Sequence, residues 1–340
     1  MPISRVNGVQ LFWEQTGDHG VPLVLVHGSW GDHHNWDAVV PALARTFRVL
    51  TYDRRGHSQS ERITTQGSVE EDVADLAALM TSQHLTPAHV VGNSFGALIA
   101  LKLAVKQPDL FASLTIHEPP LIRLLGNDPA VSAVQQRIGA VIETLQSGKT
   151  ELGARQFVET VALGPGMWEK LPPEMRQTFV FNAPTWLDEM NESSAFTLDL
   201  AGLTTFTQPA LITQGDQGPP FFGAILNKVV ETLPHAQRHT FRGAGHVPHL
   251  THPDDFVTLV SSFVSKCPAC GHIGRGADPH VSVRATILAL ARFGVAAREP
   301  VRALEKAWSA YRKTVGLDLY GHAATSEPAR LPGCAHADER

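Results

Sequence analysis

The sequence predicts an α/β fold: a mostly parallel central sheet flanked by helices, with a helical insertion between two of its strands. Three patterns carry this expectation. Short, almost purely apolar runs recur up to residue 116 and again from residue 210, helix-length stretches lie between them, and residues 119–205 carry helical periodicity without a convincing buried strand. A short apolar run suits a strand covered on both faces, as in parallel sheets. Strands alternating with helices imply βαβ units.

Residues 9–14 (Val-Gln-Leu-Phe-Trp-Glu) read as a first strand and residues 22–26 (Pro-Leu-Val-Leu-Val) as a strand buried on both faces, ending at His27-Gly28. The same form returns at residues 47–52, 88–91, 114–116 and 210–213. Residues 70–83 place Val73, Leu76, Leu79 and Met80 on one helical face, while residues 97–105 are apolar nearly all round, as a helix packed deep against a sheet must be. Helical patterns at 130–145, 152–162 and 173–181 fill the insertion. The βα rhythm then resumes, with a helix over 221–233, a strand over 237–241 and a last helix over 254–264. The expected division is a core of residues 1–118 and 206–265, a helical cap of 119–205, and an extension of 266–340 that is partly helical (281–295 and 300–314) and partly disordered at its polar end.

Composition narrows the function classes. Of the 340 residues, 43% are hydrophobic and 18% charged, an ordinary globular balance, and no apolar run has the length of a membrane span. The net charge of -5 argues against sequence-independent nucleic-acid binding, which needs a basic surface. The N-terminus lacks a charged-then-apolar signal pattern, and the three cysteines (Cys267, Cys270, Cys334) lie late in the chain, so a cytoplasmic protein without a disulfide framework is expected. Cys267-Pro268-Ala269-Cys270-Gly271-His272 resembles half of a zinc site with Cys334 or His336 as distant partners. No second Cys-x-x-Cys completes it, so no metal is expected.

The strongest motif is Gly92-Asn93-Ser94-Phe95-Gly96, placed directly after an apolar strand and directly before a helix. In that context the two glycines relieve crowding at a sharp turn, and Ser94 is expected in a strained conformation with its hydroxyl exposed above the sheet. The competing reading is a plain βα loop with a capping serine. A serine nucleophile needs a base, and Gly245-His246 supplies one on the loop after the strand at 237–241. His249 and His252 stand close by and are expected to pack rather than react.

These features resemble the α/β-hydrolase superfamily over residues 6–265, and the resemblance implies an α/β-hydrolase fold with a Ser-acid-His triad. His27-Gly28-Ser29-Trp30 is similar to the family's His-Gly loop, so the backbone N–H groups of Ser29 and Phe95 are the implied oxyanion donors. Asp53-Arg54-Arg55-Gly56-His57-Ser58-Gln59-Ser60 is similar to the family's D-x-R-G-x-G-x-S loop, and a structural role is expected for Asp53 and His57. The acid departs from the common pattern G-x-x-D: the chain reads Gly215-Asp216-Gln217-Gly218, with glycine at the usual aspartate position. Asp216 lies two residues early, several ångströms away along the chain. Glu118, in His117-Glu118-Pro119-Pro120, ends the preceding strand, where certain haloalkane dehalogenases place their acid. Glu118 is the first choice of acid and Asp216 the alternative.

The expected activity is cofactor-free hydrolysis of a small to medium hydrophobic carboxylic ester or lactone through an acyl-enzyme. Trp30, Phe95, Leu121, Trp186, Phe221, Phe222 and Val247 are the candidates to line an apolar acyl pocket. C–C bond hydrolysis or perhydrolysis at the same site is the enzymatic alternative, and a ligand-binding receptor on a retained scaffold is the alternative of another class. The sequence does not fix the oligomeric state.

Overall fold

The computed structural model describes residues 2–62, 66–126, 128–192, 194–233 and 235–267. The expected helices at 281–295 and 300–314, and Cys270, His272, Cys334 and His336, lie outside the described residues. Eight strands form one sheet in the order β1-β2-β4-β3-β5-β6-β7-β8. These are β1 (Ile3–Val6), β2 (Val9–Thr16), β3 (Pro22–Val26), β4 (Arg48–Tyr52), β5 (Ala88–Asn93), β6 (Phe111–His117), β7 (Ala210–Gly215) and β8 (Gln237–Phe241). β2 pairs antiparallel with both β1 and β4 at one edge, and the pairings from β4 through β3, β5, β6 and β7 to β8 are parallel. β1 is the strand that the apolar-run criterion passes over. It holds only two apolar residues, Ile3 and Val6, in four, and the signal that reveals it is the turn: Asn7 and Gly8 both take positive φ, as a type I′ two-residue hairpin needs.

The apolar strand runs are explained by their alternation. In β3, Leu23 and Leu25 enter one core while Val24 and Val26 enter the other; in β5, Val91 and Val90 divide in the same way. Successive side chains of a strand point to opposite faces, so a sheet covered on both sides needs apolar residues at every position. One face is covered by α2 (Val69–Ser82), α3 (Phe95–Lys106) and α8 (Phe221–Thr232), and the other by α1 (Val40–Leu43) and α10 (Pro253–Ser265). α2 begins at a capping box in which Ser68 Oγ accepts from Glu71 N–H and the Glu71 carboxylate accepts from Ser68 N–H. Cys267 ends the described chain buried after α10, its thiol donating to Phe263 O at 3.4 Å.

Between β6 and β7 lie α4 (Pro129–Gln146), α5 (Thr150–Phe157), a π-turn over Val158–Ala162, α6 (Pro173–Asn191) and α7 (Leu200–Leu203). This segment has its own apolar cluster of Val141, Leu145, Ala154, Val158, Trp168, Leu171, Ala183 and Trp186, which closes over Trp30 of the β3 loop. α6 departs from expectation. The sequence predicts a helix ending at 181, before Asn182-Ala183-Pro184, yet the helix runs through Pro184 to Asn191. Proline costs the helix one backbone hydrogen bond, and the tertiary contacts of Asn182, Trp186 and Glu189 offset that loss. α9 (Pro248–Thr251) completes the chain order between β8 and α10.

Candidate active site

The site sits where the C-terminal ends of β3, β5, β6 and β7 meet. In the parallel register Asn93 of β5 pairs with His117 of β6, and His117 pairs with Thr213 of β7. Ser94 and Glu118 are therefore the first residues past neighbouring strand ends. Ser94 caps α3 with φ 54° and ψ -121°, and its N–H donates to His117 O at 2.9 Å. That conformation is costly for a residue with a Cβ, and it persists because the backbone on both sides is tied down. Gly92 and Gly96 are required by the packing. A Cβ on Gly96 would lie 2.2 Å from Val26 O, and one on Gly92 would lie 2.5 Å from Gly96 O.

Glu118 also takes a left-handed backbone, φ 45°, which turns its carboxylate across the end of β7. Oε1 accepts from Gly215 N–H at 2.8 Å, and Oε2 lies 2.7 Å from His246 Nδ1. Because a carboxylate only accepts, the neutral imidazole carries its proton on Nδ1 and leaves Nε2 unprotonated, able to accept a proton. Burial pushes the Glu118 carboxyl upward, but the hydrogen bond from His246, the attraction of that ring when it is protonated, and the Gly215 N–H together hold it below the ordinary glutamate range. His117 itself is pushed down to about 4, chiefly by burial, and stands neutral beside the carboxylate.

The alternative acid points elsewhere. Asp216 is solvent-exposed, and its Oδ1 accepts from Gly243 N–H at 2.7 Å and from Gln217 Nε2 at 2.9 Å. Gly218, at the position where the G-x-x-D pattern expects aspartate, faces Glu118. A Cβ built on it would lie 3.4 Å from Oε1 and 3.6 Å from Oε2 of Glu118. The two sequence positions thus converge on one place in space.

Two further contacts hold His246. Asn93 Nδ2 donates to His246 O at 3.0 Å, and the Phe222 ring stacks on the imidazole with centroids 4.8 Å apart. On the opposite side Gly28 approaches Ser94 so closely that a Cβ there would lie 2.9 Å from Ser94 Cβ. The Ser29 N–H has no acceptor among the described residues. The Phe95 N–H belongs to the first turn of α3, where no intrahelical partner exists. His27 orders this loop. Its Nε2 accepts from Arg54 N–H at 3.0 Å, so its Nδ1 must carry the proton that it donates to Gly28 O at 2.8 Å.

A cavity of about 140 Å³ opens onto Ser94 and His246. Of the sequence candidates, Trp186, Phe221, Phe222 and Val247 line it. Trp30 and Leu121 do not, and neither does Phe95. The Trp30 ring is fully buried against Phe157, Trp186 and Phe179, at 4.8, 4.8 and 5.9 Å between centroids. Leu121 is fully buried in the core on the α3 and α8 side, and Phe95 lies in that core with the Arg54 guanidinium 4.9 Å from its ring centre. Nearness in sequence to a catalytic loop selected these three residues, but the direction of each side chain is set by what packs above it. The missed lining residues come mostly from the inserted helices, among them Val134, Ile138, Met175, Phe179 and Met190. The helical periodicity of the first four is visible in the sequence but the face that meets the site is not, and Met190 lies past the expected end of its helix. Asn35, a polar lining residue after the β3 loop, carried no signal in the sequence.

In the loop at 53–60 the two residues expected to be structural are buried and hydrogen-bonded within the protein. Asp53 is fully buried and accepts from His33 N–H, His33 Nδ1 and Gln59 N–H at 2.8, 2.6 and 2.8 Å. His57 is also fully buried, with Arg54 Nη2 donating to its Nε2 at 3.0 Å. No helix of the described residues is long and apolar enough to cross a membrane.

Residues 23–259 match the profile of the Alpha/beta hydrolase family. The chain is 38% identical over 114 residues to the dihydrolipoyllysine-residue acetyltransferase component of the acetoin cleaving system of Pseudomonas putida, a match covering 33% of this chain and only 31% of that protein. It is 28% identical over 272 residues to the sn-1-specific diacylglycerol lipase ABHD11 of Mus musculus, covering 73% of this chain and 83% of that one. Among solved structures, a thermophilic esterase from Thermogutta terrifontis superposes with a TM-score of 0.66 at 23% identity, over 78% of this chain and 99% of the other. That likeness shows the fold.

Proposed function

The chain belongs to the Alpha/beta hydrolase family and is a hydrolase of that superfamily, and from that premise we propose that it cleaves small to medium neutral carboxylic esters or lactones through Ser94, His246 and Glu118. The observation that carries the reading is the 2.7 Å contact from His246 Nδ1 to Glu118 Oε2, beside a nucleophile turn of strained backbone at the mouth of an apolar cavity.

In the proposed reaction His246 Nε2 takes the Ser94 hydroxyl proton while Oγ attacks the acyl carbon. The Ser29 and Phe95 N–H groups stabilise the oxyanion, each by about 3 to 4 kcal/mol if typical of such donors. Collapse breaks the acyl–oxygen bond, and the leaving alcohol takes the proton from His246. Water then attacks the acyl-enzyme by the same route, releasing the carboxylic acid and restoring Ser94. Glu118 stays ionised throughout, keeping the imidazole in the Nδ1–H tautomer and stabilising the imidazolium. The inserted helices act as a cap that walls the acyl site.

The lining supports a neutral substrate. Among the described residues it includes no lysine, arginine, aspartate or glutamate. A carboxylate on the buried part of the substrate would lose its hydration without a compensating charge.

The test is labelling by a fluorophosphonate probe together with a panel of neutral esters, lactones and carboxylate-bearing analogues. We expect labelling of Ser94 that is lost in Ser94→Ala and strongly reduced in His246→Ala, with neutral esters or lactones preferred over the charged analogues. An unlabelled protein that cleaves nothing in the panel would sink the reading.

A further inference from the structure

One face of α6 grips three consecutive residues of the loop that carries Ser29. Asn182, Trp186 and Glu189 are spaced i, i+4 and i+7, so they share a helical face. The Ser29 hydroxyl donates to Glu189 Oε2 at 2.6 Å. The Trp186 ring packs on the Trp30 ring at 4.8 Å, and Asn182 Nδ2 donates to Trp30 O at 3.2 Å and to Gly31 O at 3.0 Å. Each gripping side chain is itself buried and anchored. Arg54 Nη2 donates to Glu189 Oε1, and Asn182 Oδ1 accepts from Ser58 N–H at 2.9 Å.

The loop needs this grip. Trp30 holds φ 67°, a left-handed conformation that an L side chain rarely adopts and that surrounding contacts must enforce. The conformation at Trp30 orients the Ser29–Trp30 peptide and so sets from that end the path of the chain through Ser29, whose own N–H lies one peptide earlier and which lines the cavity together with Gly28 and Ser94.

We propose that the Asn182–Trp186–Glu189 face of α6 positions the oxyanion donor, with the Ser29 hydroxyl as the latch that ties the loop to the inserted helix. This inference rests on the reading of Ser29 N–H as an oxyanion donor. Asn182 and Glu189 are positioning residues, since neither lines the cavity, while Trp186 both packs on Trp30 and lines it. α6 also presents Met175, Phe179 and Met190 to the cavity, so the helix that contacts the acyl group is the one that holds the donor.

The test compares Ser29→Ala, Asn182→Ala and, as a control, Thr185→Val with the wild-type chain on a neutral activated ester. Affinity for a boronic acid, which forms a tetrahedral adduct with the serine, is measured alongside affinity for the matching carboxylic acid. Thr185 lies on α6 and donates to Gly56 O at 2.6 Å, away from the loop, so its loss removes a comparable bond without touching the latch. Ser29→Ala removes one hydroxyl and keeps the Arg54–Glu189 pair, so it should fold even if Asn182→Ala does not. For a displaced rather than deleted donor we expect kcat and boronate affinity each to fall about tenfold in Ser29→Ala and Asn182→Ala, with KM and carboxylic-acid affinity within about twofold. Thr185→Val should match wild type. The proposal is overturned if Ser29→Ala keeps kcat and boronate affinity at wild-type levels, or if Thr185→Val falls as far. A wild-type chain that neither reacts with the fluorophosphonate nor cleaves the ester overturns the underlying reading and the proposal with it, a pattern distinct from active variants.

Discussion

At the scale of single residues, the arrangement turns on how one carboxylate reaches His246. Glu118 leaves β6 in a left-handed turn and arrives beside Gly218, whose missing side chain leaves the space that the carboxylate fills. Glu118→Gln keeps the shape but replaces an ionised acceptor with an amide. Turnover on an activated ester is expected to fall on the order of 10² to 10⁴, as when an orienting acid is lost elsewhere. Asp216→Asn should change little, because that carboxylate bonds Gly243 and Gln217 in solvent. The convergence of positions 118 and 218 makes a sharper forecast. In a Glu118→Ala background, Gly218→Asp should restore part of the lost kcat, since its Cβ starts within 4 Å of the vacated carboxylate site. Steady-state kinetics of the single and double variants decide both points, and a larger loss in Asp216→Asn than in Glu118→Gln would refute the assignment.

At the scale of elements, the nucleophile turn and α6 show opposite relations between sequence and structure. The turn is local: Gly92, Ser94 and Gly96 are each demanded by contacts within the strand, the turn and the first helical turn, or by the neighbouring β3. Its motif was therefore readable. Gly96→Ala would drive a methyl group into the carbonyls of Val26 and His27 and should cost about 2–4 kcal/mol in urea unfolding, the range of severe backbone and packing conflicts. Gly139→Ala, in the interior of α4 where a Cβ meets nothing within 4 Å, should instead stabilise by about 0.5–1 kcal/mol. Equal effects at the two positions would contradict the packing argument. α6 is non-local. Asn182-Ala183-Pro184 reads as a helix end by its own chemistry, and the helix continues because Asn182, Trp186 and Glu189 find partners more than a hundred residues earlier in the chain.

At the scale of the whole molecule, the buried histidines predict acid lability. Burial holds His27 at about 3, His89 and His117 at about 4, and His57 and His249 well below the ordinary value. For each, the unfolded chain binds a proton between about pH 6.5 and 4 that the folded chain refuses. Stability contributed by these five groups is present above that window and is lost as pH falls through it. Asp72, Asp75, Asp188 and Asp254, whose carboxyls are raised by burial, act in the opposite direction, but only Asp72, at about 7, is raised far, against five histidines all held far down. The unfolding midpoint should therefore decline as pH falls from 7 to 4.5, and a midpoint that stays level or rises would refute the sign. At the alkaline end His33, burdened by burial yet raised to about 10 by Asp53, contributes stability that is lost as pH rises through that value. The sequence by itself determined the sheet from β2 to β8, the turn at Ser94 and the loop of His246, because apolar periodicity and turn chemistry are written within windows of a few residues. The tertiary structure decided which carboxylate lies at His246, which aromatic rings face the cavity and how far α6 extends. Those outcomes depend on where separate strand ends and helix faces meet, and a side chain's direction there is set by partners distant in sequence.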